Sequence, residues 1–477
     1  MLALSAAALP AVQAQTPASP INRAPVDRSQ KPEGEAVPKI SFPDYTETVL
    51  SNGLKVFIVQ SDRQPRTTLR LVVGSGSLYD GLKPGLASLV ASQLTRGTGQ
   101  RTAKSFAEES DFIGAEVSAG AVEDGLFLSA SGLSEYLPTV LGLMTDALFN
   151  PVFPAEELAK EKRKAASRLD AEKQKQSSLA GRLSKRLLFG AHPYGALADE
   201  QSLAAIDTLD LKTFHRTYFV PNNATLAVVT DLAVSELLPQ LEAAFRNWKA
   251  GAASLGTTLN LAAFPKVKGV NVHLINRPGS QQATILFGYR TVTRNHPDML
   301  PFGLAASTLG SADAGRLAYN LREAHGWAYG AVATGLFYKL SGVFYATADV
   351  RTDAAADAIR EMLFEMNRLK REPIGQRELQ IQRDYLTGTY LLSLEDAGRT
   401  AARVQDMEMY ALPKNYFKTY AATISAVDAK QSQALAKKYF NTSDVVIVVV
   451  GEATAIEESL KSIGKLTVYD VDLNVIR

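Results

Sequence analysis

The feature that most constrains the fold is an internal repeat, because the same order of predicted strands and helices occurs twice along the chain. Three pairs of segments recur at separations of 218 to 221 positions: Gly85-Leu86-Ala87 with Gly303-Leu304-Ala305, Glu157-Leu158 with Glu378-Leu379, and Thr217-Tyr218-Phe219 with Lys438-Tyr439-Phe440. A nearly constant separation indicates a duplicated unit. We therefore predict an α+β fold of two homologous lobes, each a mostly antiparallel sheet covered by long helices. Two such lobes can form a clam-like half-chamber.

Shifts in composition mark the predicted domain boundaries. Residues 1–14 are small and apolar and end in a small-x-small pattern, which predicts the remnant of a signal peptide and hence export. The alternative is a floppy, alanine-rich terminus, since a basic start is missing. Residues 15–44 are rich in proline and polar side chains, which predicts a flexible tail. The N-terminal lobe is placed at 45–249, a glycine- and alanine-rich linker at 250–269, and the C-terminal lobe at 270–477.

Composition also excludes several classes of protein. The 477 residues are 46% hydrophobic and 21% charged, as in globular proteins of two or three domains. A net charge of +2 gives no electrostatic footprint for nucleic acid. No uninterrupted apolar stretch is long enough to span a bilayer, so neither nucleic acid nor membrane is a predicted partner. The chain has no cysteine, which excludes disulfides and thiolate metal sites.

Seven segments identify a family when they are taken in order and with their spacing. They are LSNGLKVFIV, GSGSLYDG, GLASLVASQLTRGT, GAEVSAGAVEDGLFLSASG, HPYG, LINRPGSQQATILFG and GRLAYNLREAHGWAYG. With these segments in two repeated halves, the chain from about residue 41 to its end resembles a subunit of the pitrilysin/insulinase family of zinc peptidases. The resemblance is to the processing-peptidase-like type found in the bacterial periplasm, so a periplasmic location is expected.

The resemblance also implies that a zinc site has been lost. Active members carry His-x-x-Glu-His on the helix GLASLVASQLTRGT, where two histidines bind Zn²⁺ and the glutamate acts as base for the bound water. Here both histidine positions are serine (Ser88 and Ser92), and the base position is Ala91. The third ligand of the family aligns, within one helical turn, with Arg168, whose guanidinium would repel a cation. The five histidines are dispersed, so we predict no metal in this chain and expect zinc in a partner subunit.

The segment from Gly315 to Gly330 resembles the motif through which active members place an arginine and a tyrosine, seven residues apart, over the substrate. Arg322 and Tyr329 have this spacing. The resemblance implies that Arg322 binds a peptide carbonyl and that the Tyr329 hydroxyl stabilises the oxyanion of the tetrahedral intermediate. The alternative is structural, with Arg322 paired to a nearby carboxylate and Tyr329 half-buried against Trp327 or Phe337.

The local pattern around the motif with Arg322 and Tyr329 predicts a helix that ends at Gly326 and carries Leu317, Leu321 and Ala324 on one apolar face.

Two further segments are smaller candidates. Gly310, Ser311 and Gly315 resemble a glycine-containing loop that lines the substrate cavity, and a plain turn between helices is the alternative. Val117 to Gly120 occupies a strand whose free edge pairs with an extended peptide in active relatives, but here a structural role is favoured.

These observations support three functional hypotheses. The first is a non-catalytic subunit of a heteromeric zinc metallopeptidase, which pairs with a family member carrying His-x-x-Glu-His, acts on unfolded peptides, and is no enzyme on its own. The second is a structural core or scaffold subunit, and the third is a peptide-binding module that acts alone. Retention of Arg322 and Tyr329 beside the lost zinc ligands favours the first hypothesis.

Overall fold

The computed structural model describes residues 41–251, 259, 261–311 and 315–477. The signal segment predicted at 1–14 and nearly all of the tail predicted at 15–44 lie outside the described residues. The strands of the N-terminal lobe are β1 (Thr46–Val49), β2 (Lys55–Gln60), β3 (Arg66–Val73), β4 (Glu116–Ala121), β5 (Leu126–Leu133) and β6 (Ala224–Thr230). Its α-helices are α1 (Leu86–Gln93), α2 (Ala103–Phe112), α3 (Leu137–Phe149), α4 (Ala155–Lys173), α5 (Gln176–Phe189), α6 (Glu200–Ala205), α7 (Thr208–Tyr218) and α8 (Val234–Phe245).

The C-terminal lobe repeats this arrangement. Its strands are β7 (Val270–Asn276), β8 (Gln282–Thr291), β9 (Ala328–Phe337), β10 (Gly342–Arg351), β11 (Val445–Gly451) and β12 (Lys465–Tyr469). Its α-helices are α9 (Met299–Gly310), α10 (Arg316–Ala318), α11 (Ala355–Arg371), α12 (Gln376–Leu392), α13 (Ala397–Met409), α14 (Tyr420–Ala426), α15 (Ala429–Tyr439) and α16 (Ala453–Lys461). A π-helical turn, Tyr319–Ala324, continues directly from α10.

The two sheets share one strand order, which confirms the two homologous lobes. The order is β1-β2-β6-β3-β5-β4 in the first sheet and β12-β7-β11-β8-β10-β9 in the second. Five of the six strands therefore correspond one to one, from β2 and β7 to the edge strands β4 and β9, and most neighbouring pairs are antiparallel. The sixth strand differs, because β1 pairs antiparallel with β2 whereas β12 pairs parallel with β7. Within the predicted linker, residues 261–268 form neither helix nor strand.

Burial along the strands follows the layers on either side of each sheet. Along β5, Leu126, Leu128 and Ala130 are buried and alternate with half-buried residues, as in a strand with one face on the core. Along β11, VVIVVVG, every residue is buried. Alternate side chains of β11 belong to two different apolar clusters, so this strand is covered on both faces.

Each sheet is completed by a helix from the other half of the chain. Helix α5 belongs to the N-terminal half of the chain but packs against β8 and β11 of the second sheet. There its leucines join Leu286 and Val448 in one cluster. Helix α13 packs against β3 and β6 of the first sheet, where Val404 and Met407 join Phe57. The prediction placed each helix in the lobe of its own half. This exchange makes the core of each half depend on the other.

Candidate functional site

The helix that carries the zinc ligands in active relatives is present as α1, with none of those ligands. Ser88 is exposed, Ala91 is buried at 2% relative exposure, and Ser92 donates its hydroxyl to the carbonyl oxygen of Leu89 at 2.9 Å. The Ser92 hydroxyl is therefore bonded to the backbone of its own helix. Among the described residues there is no group of three or more His, Cys, Asp or Glu side chains that could hold a metal ion.

A buried carboxylate, Asp80, holds the beginning of α1. Its two oxygens accept hydrogen bonds from the backbone N–H groups of Gly85 and Ala87, each at 2.8 Å. Gly85 has φ of 101°, a left-handed conformation that suits glycine at this turn. Burial raises the pKa of Asp80 to about 6, although its backbone hydrogen bonds act in the opposite direction. The helix is therefore retained by a specific polar anchor as well as by its apolar face.

Replacing Asp80 with alanine is expected to destabilise the protein by about 1–3 kcal/mol, because two N–H groups at the buried start of α1 lose their acceptor. Urea unfolding followed by circular dichroism measures this loss. Asp80→Asn is the matched variant, since an amide oxygen keeps one acceptor and should recover part of the stability. Wild-type stability in Asp80→Ala would show that the carboxylate does not anchor the helix.

The third predicted ligand position lies on α4, which packs against α1. Arg168 is exposed there, whereas its neighbours Ala165 and Leu169 are partly buried against the core of the N-terminal lobe. Leu169 lies within one helical turn of the aligned position. The side of α4 that faces the core therefore carries apolar side chains where the third zinc ligand is expected. That the Arg168 guanidinium repels a cation at this position stays a prediction.

Two of the dispersed histidines, His192 and His215, have structural partners. His192 accepts a hydrogen bond at Nδ1 from the backbone N–H of Tyr194 at 3.1 Å, which caps the turn that follows. His215 contacts the carbonyl oxygen of Leu148 through Nε2 at 2.8 Å, and burial lowers its pKa. The position of each ring is therefore explained by a backbone hydrogen bond, without a metal ion.

Arg322 lies in the π-helical turn Tyr319–Ala324. The widened turn is seen in the hydrogen bond from the N–H of His325 to the carbonyl oxygen of Asn320, at 3.2 Å. π-Helical turns of this kind frequently occur at functional sites. The Nε of Arg322 donates to Glu323 Oε1 at 2.8 Å, and the arginine side chain is 32% exposed. The structural alternative for Arg322, a nearby carboxylate, is thus present.

One part of the predicted helix face is wrong. Leu317 and Leu321 are buried, as expected, but Ala324 is exposed. The reason is the π-helical turn, because an extra residue per turn rotates later positions away from the face that an α-helix would continue. The predicted end of the helix is correct, since Gly326 follows it with φ of 64°.

Tyr329 stands at a bulge in the edge strand β9. Ala331 pairs with Ala348 and Ala328 pairs with Val350, so two residues of β9, Tyr329 and Gly330, lie opposite one residue of β10. Without the bulge, strand alternation would place Tyr329 on the buried face that holds Ala331. Instead Tyr329 is 90% exposed. The alternative in which this ring is half-buried against Trp327 or Phe337 is therefore not what the structure shows.

The π-helical turn packs against β9, so Arg322 and Tyr329 belong to neighbouring elements. Trp327, between them in sequence, stacks on the ring of His325 with centroids 4.1 Å apart, and it is partly buried against the core of the C-terminal lobe. The connection between the two candidate residues is thus fixed by packing. Their roles toward a substrate stay predictions.

The candidate loop residues pack closely against β9. A Cβ at Gly310 would lie 2.0 Å from the backbone nitrogen of Ala333, and a Cβ at Gly315 would lie 2.7 Å from the Cα of Gly310. Both positions therefore need glycine for close backbone contact. Ser311 is buried, and its Oγ has no hydrogen-bond partner among the described residues. Residues 312–314 of this loop lie outside the described residues.

Each of the two sheets ends in an edge strand that carries a candidate segment. β4, with Val117 to Gly120, ends the strand order of the first sheet, and β9, with Tyr329, ends that of the second. Edge strands can accept an extended peptide through backbone hydrogen bonds. From the sequence, this role was weighed for β4 and not for β9, although the duplication implies that both strands occupy the same place in their sheets.

Comparison with known proteins now identifies the family. The family model described as Insulinase (Peptidase family M16) matches residues 55–194, and the model described as Peptidase M16 inactive domain matches residues 205–386. Together the two matches cover more than half of the chain. The chain belongs to the M16, or insulinase, family of peptidases, as the sequence resemblance predicted.

Relatives and solved structures agree with this assignment. A Bacillus subtilis protein named uncharacterized zinc protease YmxG is 22% identical over 405 residues, which cover 84% of this chain and 96% of that protein. A Helicobacter pylori protein named non-peptidase homolog YmxG is 22% identical over 384 residues, which cover 79% and 87%. The crystal structure of a peptidase M16 inactive domain from Pseudomonas fluorescens has a TM-score of 0.77 at 26% identity, covering 86% of this chain and 98% of that one.

Proposed function

We propose that this chain is the non-catalytic subunit of a heteromeric zinc metallopeptidase that degrades unfolded peptides, and that it acts in the periplasm. In this proposal a partner of the same family supplies His-x-x-Glu-His and the zinc, and this chain supplies Arg322 and Tyr329. The observation that carries the proposal is the bulge in β9. It holds a phenolic hydroxyl out in solvent, next to an arginine-bearing turn, in a chain whose α1 has no zinc ligand.

The chemistry of the two groups fits such a shared site. A hydroxyl at the oxyanion position stabilises charge that develops only in the transition state, which is the most productive use of a hydrogen-bond donor in hydrolysis. A guanidinium can hold the substrate carbonyl or backbone with two N–H groups. Neither group generates a nucleophile, so both would depend on the zinc chemistry that the proposed partner supplies.

The test is reconstitution. This chain, a family member from the same genome that carries His-x-x-Glu-His, and an equimolar mixture are each assayed for cleavage of an unfolded peptide. Activity confined to the mixture, together with a heteromeric complex on size-exclusion chromatography, is the expected result. Full activity of the zinc-bearing chain alone would contradict the proposal.

A second candidate is a structural subunit without any role in peptidase chemistry. Two observations favour it: the ion pair of Arg322 with Glu323, and the similarity to a Helicobacter pylori protein named a non-peptidase homolog. The reconstitution separates the two candidates when Arg322→Ala is added to it. A scaffold tolerates this change with full activity in the mixture, whereas a donor to the substrate does not.

A further inference from the structure

A separate cavity in the C-terminal lobe carries an excess of positive charge. It has a volume of about 470 Å³ and lies between α12, α13, α14 and the segment that precedes α9. Within the described residues, no helix combines the length and apolar composition needed to cross a bilayer. The cavity lies beside the amphipathic helix α13. Its lining residues are Arg294, Thr389, Tyr390, Ser393, Arg399, Ala402, Arg403, Asp406, Phe417 and Tyr420.

The charges in this cavity do not balance. Three guanidiniums line it, those of Arg294, Arg399 and Arg403, against one carboxylate, that of Asp406. Asp406 lies 3.6 Å from Arg294, measured from Oδ2 to Nη2. Arg399 and Arg403 stand one turn apart on α13, where like charges repel each other. With three guanidiniums and one carboxylate, the lining of the cavity has a net charge of about +2.

Arg403 is the most constrained of the three arginines. Its guanidinium lies over the rings of Tyr390 and Phe417, with the central carbon 5.0 and 5.8 Å from the ring centroids. Its Nη1 is fully buried and has no hydrogen-bond partner among the described residues. Burial lowers the pKa of Arg403, while Tyr390, Tyr420 and Asp406 act in the opposite direction and the charge of Arg399 adds to the lowering. A buried N–H donor on a cation without an acceptor is costly, and an anion in the cavity would supply that acceptor.

We propose that this cavity binds a phosphate-type oxyanion, either free or as a phosphate monoester of a small molecule. A dianion matches the uncompensated charge of Arg399 and Arg403, and guanidinium groups bind phosphate oxygens through paired hydrogen bonds. Tyr390 is buried and stacks on half-buried Tyr420 with centroids 4.3 Å apart, so Tyr420 provides the aromatic wall beside the arginines. A monoester that carries a flat organic group can pack on this wall, whereas free phosphate cannot.

Thermal unfolding of the full chain tests the proposal. Inorganic phosphate, phenyl phosphate and acetate are titrated at pH 7.5, each against sodium chloride of equal ionic strength. A saturable rise in Tm with phosphate, beyond that with chloride, is expected. A stronger effect of phenyl phosphate assigns the site to a monoester, and equal effects assign it to free phosphate. A Tm that rises no further with either phosphate than with chloride, or that rises equally with acetate, overturns the proposal.

Matched variants locate the binding. Arg399→Gln and Arg403→Gln should each weaken phosphate binding by about tenfold to a hundredfold, as expected for the loss of a charged hydrogen bond. Arg377→Gln, on the exposed side of neighbouring α12, should leave it unchanged. Arg399 is exposed, so its variant stays informative if loss of the Arg403 stacking impairs folding. Unaltered binding in Arg399→Gln overturns the proposal. Peptidase activity is not measured, so this result is independent of the proposed function.

Discussion

Replacing Tyr329 with phenylalanine is expected to lower the kcat of the reconstituted peptidase by about 10²- to 10³-fold, the usual effect of removing one oxyanion donor. The change removes only the hydroxyl. Because the side chain is 90% exposed at the bulge of β9, no core contact or buried hydrogen bond depends on it. The stability of the isolated chain should therefore stay within about 0.5 kcal/mol of wild type.

Steady-state kinetics of the mixture, with the variant in place of the wild-type chain, measure this effect. Complex formation is checked by size-exclusion chromatography, so that lost assembly is not mistaken for lost chemistry. Tyr385→Phe is the matched control, since Tyr385 is an exposed tyrosine on α12 outside the proposed site. A kcat of Tyr329→Phe equal to that of Tyr385→Phe would rule out the hydroxyl as an oxyanion donor.

Replacing Arg101 with alanine is expected to destabilise the protein by about 3–5 kcal/mol, because it leaves a buried carboxylate without its cation. Arg101 donates from Nη1 to Asp146 at 2.8 Å, and from Nε and Nη2 to the two oxygens of Glu109 at 2.7 and 2.9 Å. Asp146 is 5% exposed and also accepts a hydrogen bond from Thr98. The network ties α2 and α3 to the turn that follows α1.

Urea unfolding of the variant measures this loss. Lys104→Ala is the control, because Lys104 forms an exposed ion pair with Glu108 at 3.6 Å, worth about 0.5 kcal/mol or less. Adding Asp146→Asn to Arg101→Ala should restore part of the stability, since it removes the uncompensated charge. A loss in Arg101→Ala no larger than that in Lys104→Ala would show that the buried carboxylate does not need this partner.

Much of the fold could be predicted from the sequence because its signals are local and occur twice. Alternating apolar residues predict β3 and β5, a run of valines predicts β11, and the repeated segments predict that the second sheet follows the first. The exchange of α5 and α13 could not be predicted in this way. An amphipathic pattern shows that one helix face is buried, but not which sheet covers it.

The candidate site could likewise be predicted only in part from the sequence. The absence of zinc ligands at Ser88, Ala91 and Ser92 follows from residue identity alone. The π-helical turn and the bulge of β9 depend on how the chain fits against α11 and β10, so neither the exposed Ala324 nor the exposed Tyr329 could be read from periodicity. The cavity lined by Arg294, Arg399 and Arg403 could not be predicted from the sequence, because it joins residues that are far apart along the chain. Its local signal is the pair of arginines on α13.

We propose that this chain carries donors for a peptide but no zinc of its own. This is tested most directly by the zinc content of the chain, purified alone and then in complex with the proposed His-x-x-Glu-His partner. No stoichiometric zinc in the isolated chain, and one zinc in each heterodimer, is the predicted result. One tightly held zinc in the isolated chain would contradict the account.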